Sequence, residues 1–201
     1  MTVFFHGNFG LHRERMAKLA KAAIENPALE DDVLAAPFGY GAPFAATYRS
    51  WLHKTGMAER GRPFQLTEYG KIALRRDPAF SAPVTMWLLH HELTSDPERA
   101  ETWHFFMGEF RSKHTEFSKA ELTDGLMMKL RSHSEKHFGP MSKMNPIIVR
   151  KLIECYTAPT ALGGLDLLRS VGKDRFAFGS IHAAGPWSTP SALEAAYRAA
   201  N

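Results

Sequence analysis

The sequence predicts a mainly α-helical protein, with an N-terminal winged helix-turn-helix followed by a C-terminal helical bundle containing little strand. Three observations lead there. Apolar residues recur at i, i+3, i+4, i+7 in one segment after another. Proline and glycine punctuation cuts roughly the first eighty residues into three helices and a short hairpin with a basic tip. Beyond that point the helical stretches become aromatic and apolar on nearly every side, as expected of a buried bundle. A boundary falls near Asp77 to Pro83, giving domains 1–80 and 81–201.

The first helix follows Met16, Leu19, Ala20, Ala23 and Ile24, and stops at Asn26 before Pro27. A shorter helix fits Leu29 to Ala36, ahead of the breakers Pro37, Gly39 and Gly41. In the third, APFAATYRSWLHKTG, proline stands at the start and glycine at the end. Phe44, Thr47, Tyr48, Trp51, Leu52 and Thr55 share one stripe, and Ala46, Arg49, Ser50 and His53 share the other. MAERGRPFQL then reads as a hairpin turning near Gly61, and Thr67 caps a helix through Arg76. Three helices followed by a basic wing is the order of a winged helix-turn-helix, whose third helix enters a groove.

In the second part, APVTMWLLHHEL is a buried helix and ETWHFFMGEF supplies its aromatic packing partners. Ser118 with Glu121 makes a capping box for a helix to about Ser132, and NPIIVRKLIECY forms one more. Glycine and proline return around FAFGSIHAAGPW, where a short hairpin is expected.

The composition bounds the chemistry. The 201 residues carry a net charge of +4. Residues 1 to 80 hold 11 basic and 8 acidic groups and residues 111 to 151 hold 9 and 4, whereas residues 82 to 110 hold 1 and 5. Two basic regions flanking an acidic, aromatic one suit a polyanion partner and equally suit an ordinary solvated surface. A single cysteine, Cys155, excludes an internal disulfide and a thiolate zinc cluster, which fits a reducing cytoplasm. No apolar run reaches membrane-spanning length, so no membrane partner is expected. GxxxxGK[ST], GxSxG and HExxH are all absent, and no organic cofactor is implied.

The stretch FFHGNFGLHRERM, residues 4–16, concentrates polar chemistry at a glycine-flanked entrance to a helix. Free backbone NH groups there, with Arg13 and Arg15, suit phosphate, while His6, His12 and Glu14 are candidates for general-base or metal duty. Arg49, Ser50, His53 and Lys54 on the third helix, with Arg60 and Arg62 at the wing, are the DNA-contact candidates, since arginine and lysine neutralise phosphate. His90 is expected to be a hydrogen-bonded core histidine, Cys155 a buried thiol, and the pair His133 and His137 lacks a convincing third metal ligand.

FHGNF with HRE, GYGAPFAATYRSWLHKTGMAE, LTEYGKIALRRDPAF, TMWLLHHEL and TWHFFMGEF, in that order, resemble a bacterial domain-of-unknown-function family found beside DNA phosphorothioation genes. That family includes the SspB-like nickase component of single-strand phosphorothioation systems, and the likeness covers roughly residues 4 to 130. Relatives place a glycine, lysine, asparagine and methionine run before the third helix; residues 41–45 here read GAPFA, so a lysine contact is missing and Arg49 or the wing must carry more of the binding. The resemblance implies a cytoplasmic DNA-binding protein of a phosphorothioation defence system, working with a cysteine desulfurase and a sulfur-transferring ATPase. Nicking would open the strand for sulfur, with Mg2+ or Mn2+ as the metal that such hydrolysis commonly uses. The resemblance carries over no catalytic set. A noncatalytic DNA-binding or scaffold subunit and a winged-helix protein-docking module remain alternatives, and a homodimer is allowed.

Overall fold

The computed structural model describes residues 3–181 and 187–200. Helix α1 is Arg13–Glu25, α2 Asp31–Ala35 and α3 Ala42–Lys54. Helix α1 starts three residues earlier than its apolar stripe implies, because the His12 ring caps the backbone NH of Arg15. Helix α3 buries Phe44, Ala45, Tyr48, Trp51 and Leu52, with Thr47 half-buried and its polar stripe left partly open. The expected wing contracts to one antiparallel bridge, Ala58 with Leu66, supported by Glu59 N–H donating to the Gln65 carbonyl. Thr67 then caps α4, Glu68–Arg76, by accepting from Gly70 N–H.

Helix α5, Pro83–Ser95, is buried along most of its length, and α6, Pro97–Phe105, turns back against it. A π-helical turn, Phe106–Phe110, sets Phe106 and Phe110 against Phe117 and Phe178. Strand β1, Glu116–Ser118, leads into α7, Lys119–Leu130, and the predicted Ser118/Glu121 capping box forms at that junction. Helices α8, Glu135–Phe138, and α9, Met144–Thr157, follow. Strands β2, Leu168–Gly172, and β3, Arg175–Phe178, form a hairpin, and β1 joins its other edge for the order β1-β3-β2, all antiparallel.

This hairpin lies upstream of the one expected around FAFGSIHAAGPW. Asp174, with φ of 58°, takes the left-handed turn position without a glycine, while only Phe176 to Phe178 of the predicted stretch are strand. Residues 182–186 of that stretch lie outside the described residues. Helix α10, Pro190–Ala199, was not anticipated, although Thr189 and Pro190 are a cap and first-turn pair. It docks on α4, where Arg75 and Arg76 both pair with Glu194 and Tyr197 meets Thr85.

The fold is therefore mainly α with one small sheet. A continuous hydrophobic cluster runs from Val3 to Tyr197 and takes in residues on both sides of position 80. At that position Arg13 reaches across the chain: Nε donates to the Ala161 carbonyl (2.5 Å), one terminal nitrogen to Phe80 (2.6 Å) and the other to Pro159 (2.8 Å).

Candidate nucleic-acid cleft

A cleft of about 590 Å³ opens along the polar face of α3. Arg49, Ser50, His53 and Lys54 form its first wall, four of the eight expected contacts, set as two adjacent pairs one turn apart. Glu59, Arg60, Gly61 and Phe64 of the bridge loop form the second, and Asp96, Glu98 and Arg99 at the start of α6 form the third. Phe5 supplies the floor, packed edge-on against Trp51 (4.8 Å between centroids) and tilted against Trp103 (5.2 Å).

The opening stretch is positioned by α3 itself. Trp51 Nε1 donates to the Phe9 carbonyl (3.0 Å) and the Tyr48 hydroxyl to Gly10 (3.2 Å), so the loop lies across the aromatic stripe. Of that stretch, Phe5 reaches the cleft and the charged residues do not line it. Arg13 spends its donors on three carbonyls as described, and Arg15 stacks near Tyr40 (5.6 Å) and Phe44 (5.9 Å). The expected phosphate role of this pair thus finds no place in the cleft; backbone carbonyls and ring faces hold the two guanidiniums instead.

His6, His12 and Glu14 are likewise not brought together. His6 is fully buried among Phe4, Phe5 and Trp103, its Nδ1 hydrogen-bonded to the Gly7 carbonyl (2.9 Å). Burial depresses its pKa to about 4, partly opposed by that carbonyl, so the ring is neutral at pH 7. His12 caps α1, and Glu14 is exposed and paired with Lys18 (2.6 Å). Among the described residues no three His, Cys, Asp or Glu side chains stand close enough to hold a metal ion.

The bridge loop is tied down rather than free. Arg49 donates to the Gly61 carbonyl (2.8 Å), lies over Phe64 (5.6 Å) and approaches Asp31 (3.8 Å). Arg62 turns away from the cleft to pair with Glu30 (2.6 Å) and Asp31 (2.9 Å) on α2. Arg60 is exposed and makes no hydrogen bond or ion pair among the described residues. His53 Nδ1 sits 3.3 Å from the Ala58 carbonyl. Burial lowers its pKa; the Ala58 carbonyl opposes this, and the Lys54, Arg99 and Arg60 charges add to it. The third wall was missed from sequence, since Arg99 is the one base in an acidic stretch and nothing in its spacing links it to α3.

The expectations for His90 and Cys155 hold. His90 is buried, with Nδ1 3.1 Å from the Tyr156 hydroxyl, and desolvation lowers its pKa to about 4. The Cys155 thiol is buried and pushed up to about 12. His133 pairs with Glu101 (2.9 Å).

The model of the protein family DUF4007, described as proteins of unknown function, matches residues 5–178. The chain belongs to this family. Two solved structures share the fold of this DUF4007 protein: a magnesium ion-bound SspB crystal structure, with a TM-score of 0.65, and a second SspB crystal structure, with 0.63. Each is 17% identical, with 92% of this chain and 62% of the SspB chain covered. The DUF4007 chain therefore spans a little under two thirds of the length of those neighbours. No curated protein matches it. Among its described residues, no helix is long and apolar enough to cross a membrane.

Proposed function

We propose that this chain is a DNA-binding protein of a bacterial single-strand DNA phosphorothioation defence system, holding one strand's sugar–phosphate backbone so that it can be nicked for sulfur incorporation. The DNA-binding part is carried by one observation: Arg49, Ser50, His53, Lys54 and Arg60 meet Arg99 in a single concave cleft. The phosphorothioation context is supported by the likeness to SspB, and a cysteine desulfurase and a sulfur-transferring ATPase are its proposed companions. A recognition helix needs a free convex face to enter a major groove. Here α3 is instead a wall faced by α6 residues, which favours a backbone threaded through the cleft over a winged-helix docking mode.

Nicking is phosphodiester hydrolysis, which needs a base for water and positive charge on the phosphate oxygens. His53 is the imidazole that lines the cleft, and its lowered pKa leaves it neutral and able to accept a proton at pH 7. A noncatalytic binding subunit is the second reading, favoured by the separation of His6, His12 and Glu14.

Binding of a labelled single-stranded oligonucleotide, followed by anisotropy from about 50 to 200 mM salt, tests the first part. About three phosphate contacts predict a log–log slope near −2; a flat salt response would remove the electrostatic basis of the reading. With supercoiled plasmid and Mg2+ or Mn2+, open-circular product that vanishes in His53→Ala supports nicking. Binding without product leaves the noncatalytic subunit.

A further inference from the structure

Lys54 is the anomaly of the cleft. Most of the residue is buried, with 8% exposure, while its ammonium lines the cleft and among the described residues has neither a hydrogen bond nor an ion pair. The Phe5 ring is its neighbour, 5.7 Å from Nζ to the centroid. Arg60 and Arg99 add like charge, and the Asp96 carboxylate offsets it only in part. A lysine set among like charges, without a carboxylate paired to it, leaves a positive pocket that attracts an anion. Sequence neighbours do not neutralise this one, because the carboxylates nearby are already engaged or exposed: Asp96 caps α6 through Glu98 N–H, Glu92 meets Arg99, and Glu98 is exposed.

Phe5 lies beside the lysine and packs on Trp51 and Trp103, so the floor is fixed while the ammonium lines the cleft. An anion entering the cleft from solvent would meet exposed Arg60 as well as Lys54.

We propose that Lys54, with Arg60, is the seat of a single phosphate group that enters the cleft and pairs with an ammonium otherwise without a partner among the described residues. The phosphate belongs either to a nucleic-acid backbone or to a free phosphorylated small molecule. Only the choice between these rests on the DNA-binding reading; the seat itself rests on the unpaired Lys54 ammonium in the arginine-lined cleft. A strand threaded through the cleft would thereby be locked in register by one phosphate, with Ser50 and His53 next to it on the same wall.

The test compares the full chain with Lys54→Met and Lys54→Arg, using inorganic phosphate in calorimetry and a labelled single-stranded oligonucleotide in anisotropy. Lys54→Met keeps the volume and removes the charge, so without phosphate its melting temperature should equal or exceed the wild-type value. Wild type should bind phosphate and phosphate should compete with the oligonucleotide. Lys54→Met should lose phosphate binding and loosen the oligonucleotide at least tenfold, and Lys54→Arg should restore part of both. Phosphate binding by a folded Lys54→Met at wild-type strength overturns the seat. Phosphate binding through Lys54 with no oligonucleotide binding by any form retains the seat, assigns it to a small phosphorylated ligand and overturns the DNA reading instead.

Discussion

Replacing Arg13 with methionine is expected to lower the unfolding free energy by about 3 kcal/mol while leaving the salt dependence of oligonucleotide binding unchanged. Three charge-assisted hydrogen bonds are lost, to Ala161, Phe80 and Pro159. These join α1 to the turn before α5 and to the segment after α9, which lie 67 to 148 residues away in sequence. Each charged bond contributes about 1.5–3 kcal/mol, a plain sum of about 4.5–9, yet water can reach the Pro159 carbonyl and the losses overlap, so the net loss falls below that range. For a chain of this length the melting temperature should drop by roughly 6–12 °C. Calorimetry and anisotropy on the same preparation separate the two effects. A large fall in affinity with intact stability would return Arg13 to phosphate contact.

The second large effect is acid sensitivity. His6 and His90 are buried as neutral rings with pKa values near 4, against 6.5 when unfolded, because burial penalises the imidazolium. The unfolded chain therefore binds protons first as pH falls. Stability is complete above about pH 6.5 and is lost through the window from 6.5 down to about 4. Between pH 7 and pH 5 each ring contributes a loss of about 2 kcal/mol, so the pair removes about 4 kcal/mol. Asp77 extends the loss to lower pH: burial raises its pKa, but hydrogen bonds from Thr85, Ser81 and Ala82 outweigh that and hold the carboxyl below its usual range. Denaturant midpoints across pH 4 to 8 measure the slope. His90→Gln, which keeps a polar partner for Tyr156, should remove about half of the drop; an unchanged slope would show that His90 does not titrate in this window.

Local rules were enough for most helices. The stripes on α1 and α3, the Thr67 cap and the Ser118/Glu121 box are short-range signals, and each forms where it was expected. The β2–β3 hairpin was displaced because its turn uses Asp174 in a left-handed conformation, a choice that glycine spacing does not reveal. Helix α10 was legible by the same rules, since Leu193, Ala196 and Tyr197 follow helical spacing behind the Thr189–Pro190 cap pair. For the cleft, the α3 contacts were legible from the polar stripe, since residues one turn apart share a face. Its far wall was not, because Asp96, Glu98 and Arg99 arrive through tertiary packing of α6 against α5. The opening segment misled for a related reason. Histidine and arginine beside glycines look like a site, but Trp51 and Tyr48 pull that loop onto the core, where His6 is buried and Phe5 becomes the working residue.

Two arginines two residues apart, Arg60 and Arg62, offer the most direct test that the cleft is the nucleic-acid surface. Arg60 lines it without a partner among the described residues, and Arg62 faces α2 in pairs with Glu30 and Asp31. Anisotropy at about 100 mM salt should show Arg60→Glu binding a single-stranded oligonucleotide at least tenfold more weakly than wild type, while Arg62→Glu stays within about twofold. Equal losses in both variants, or a loss confined to Arg62→Glu, would contradict the account.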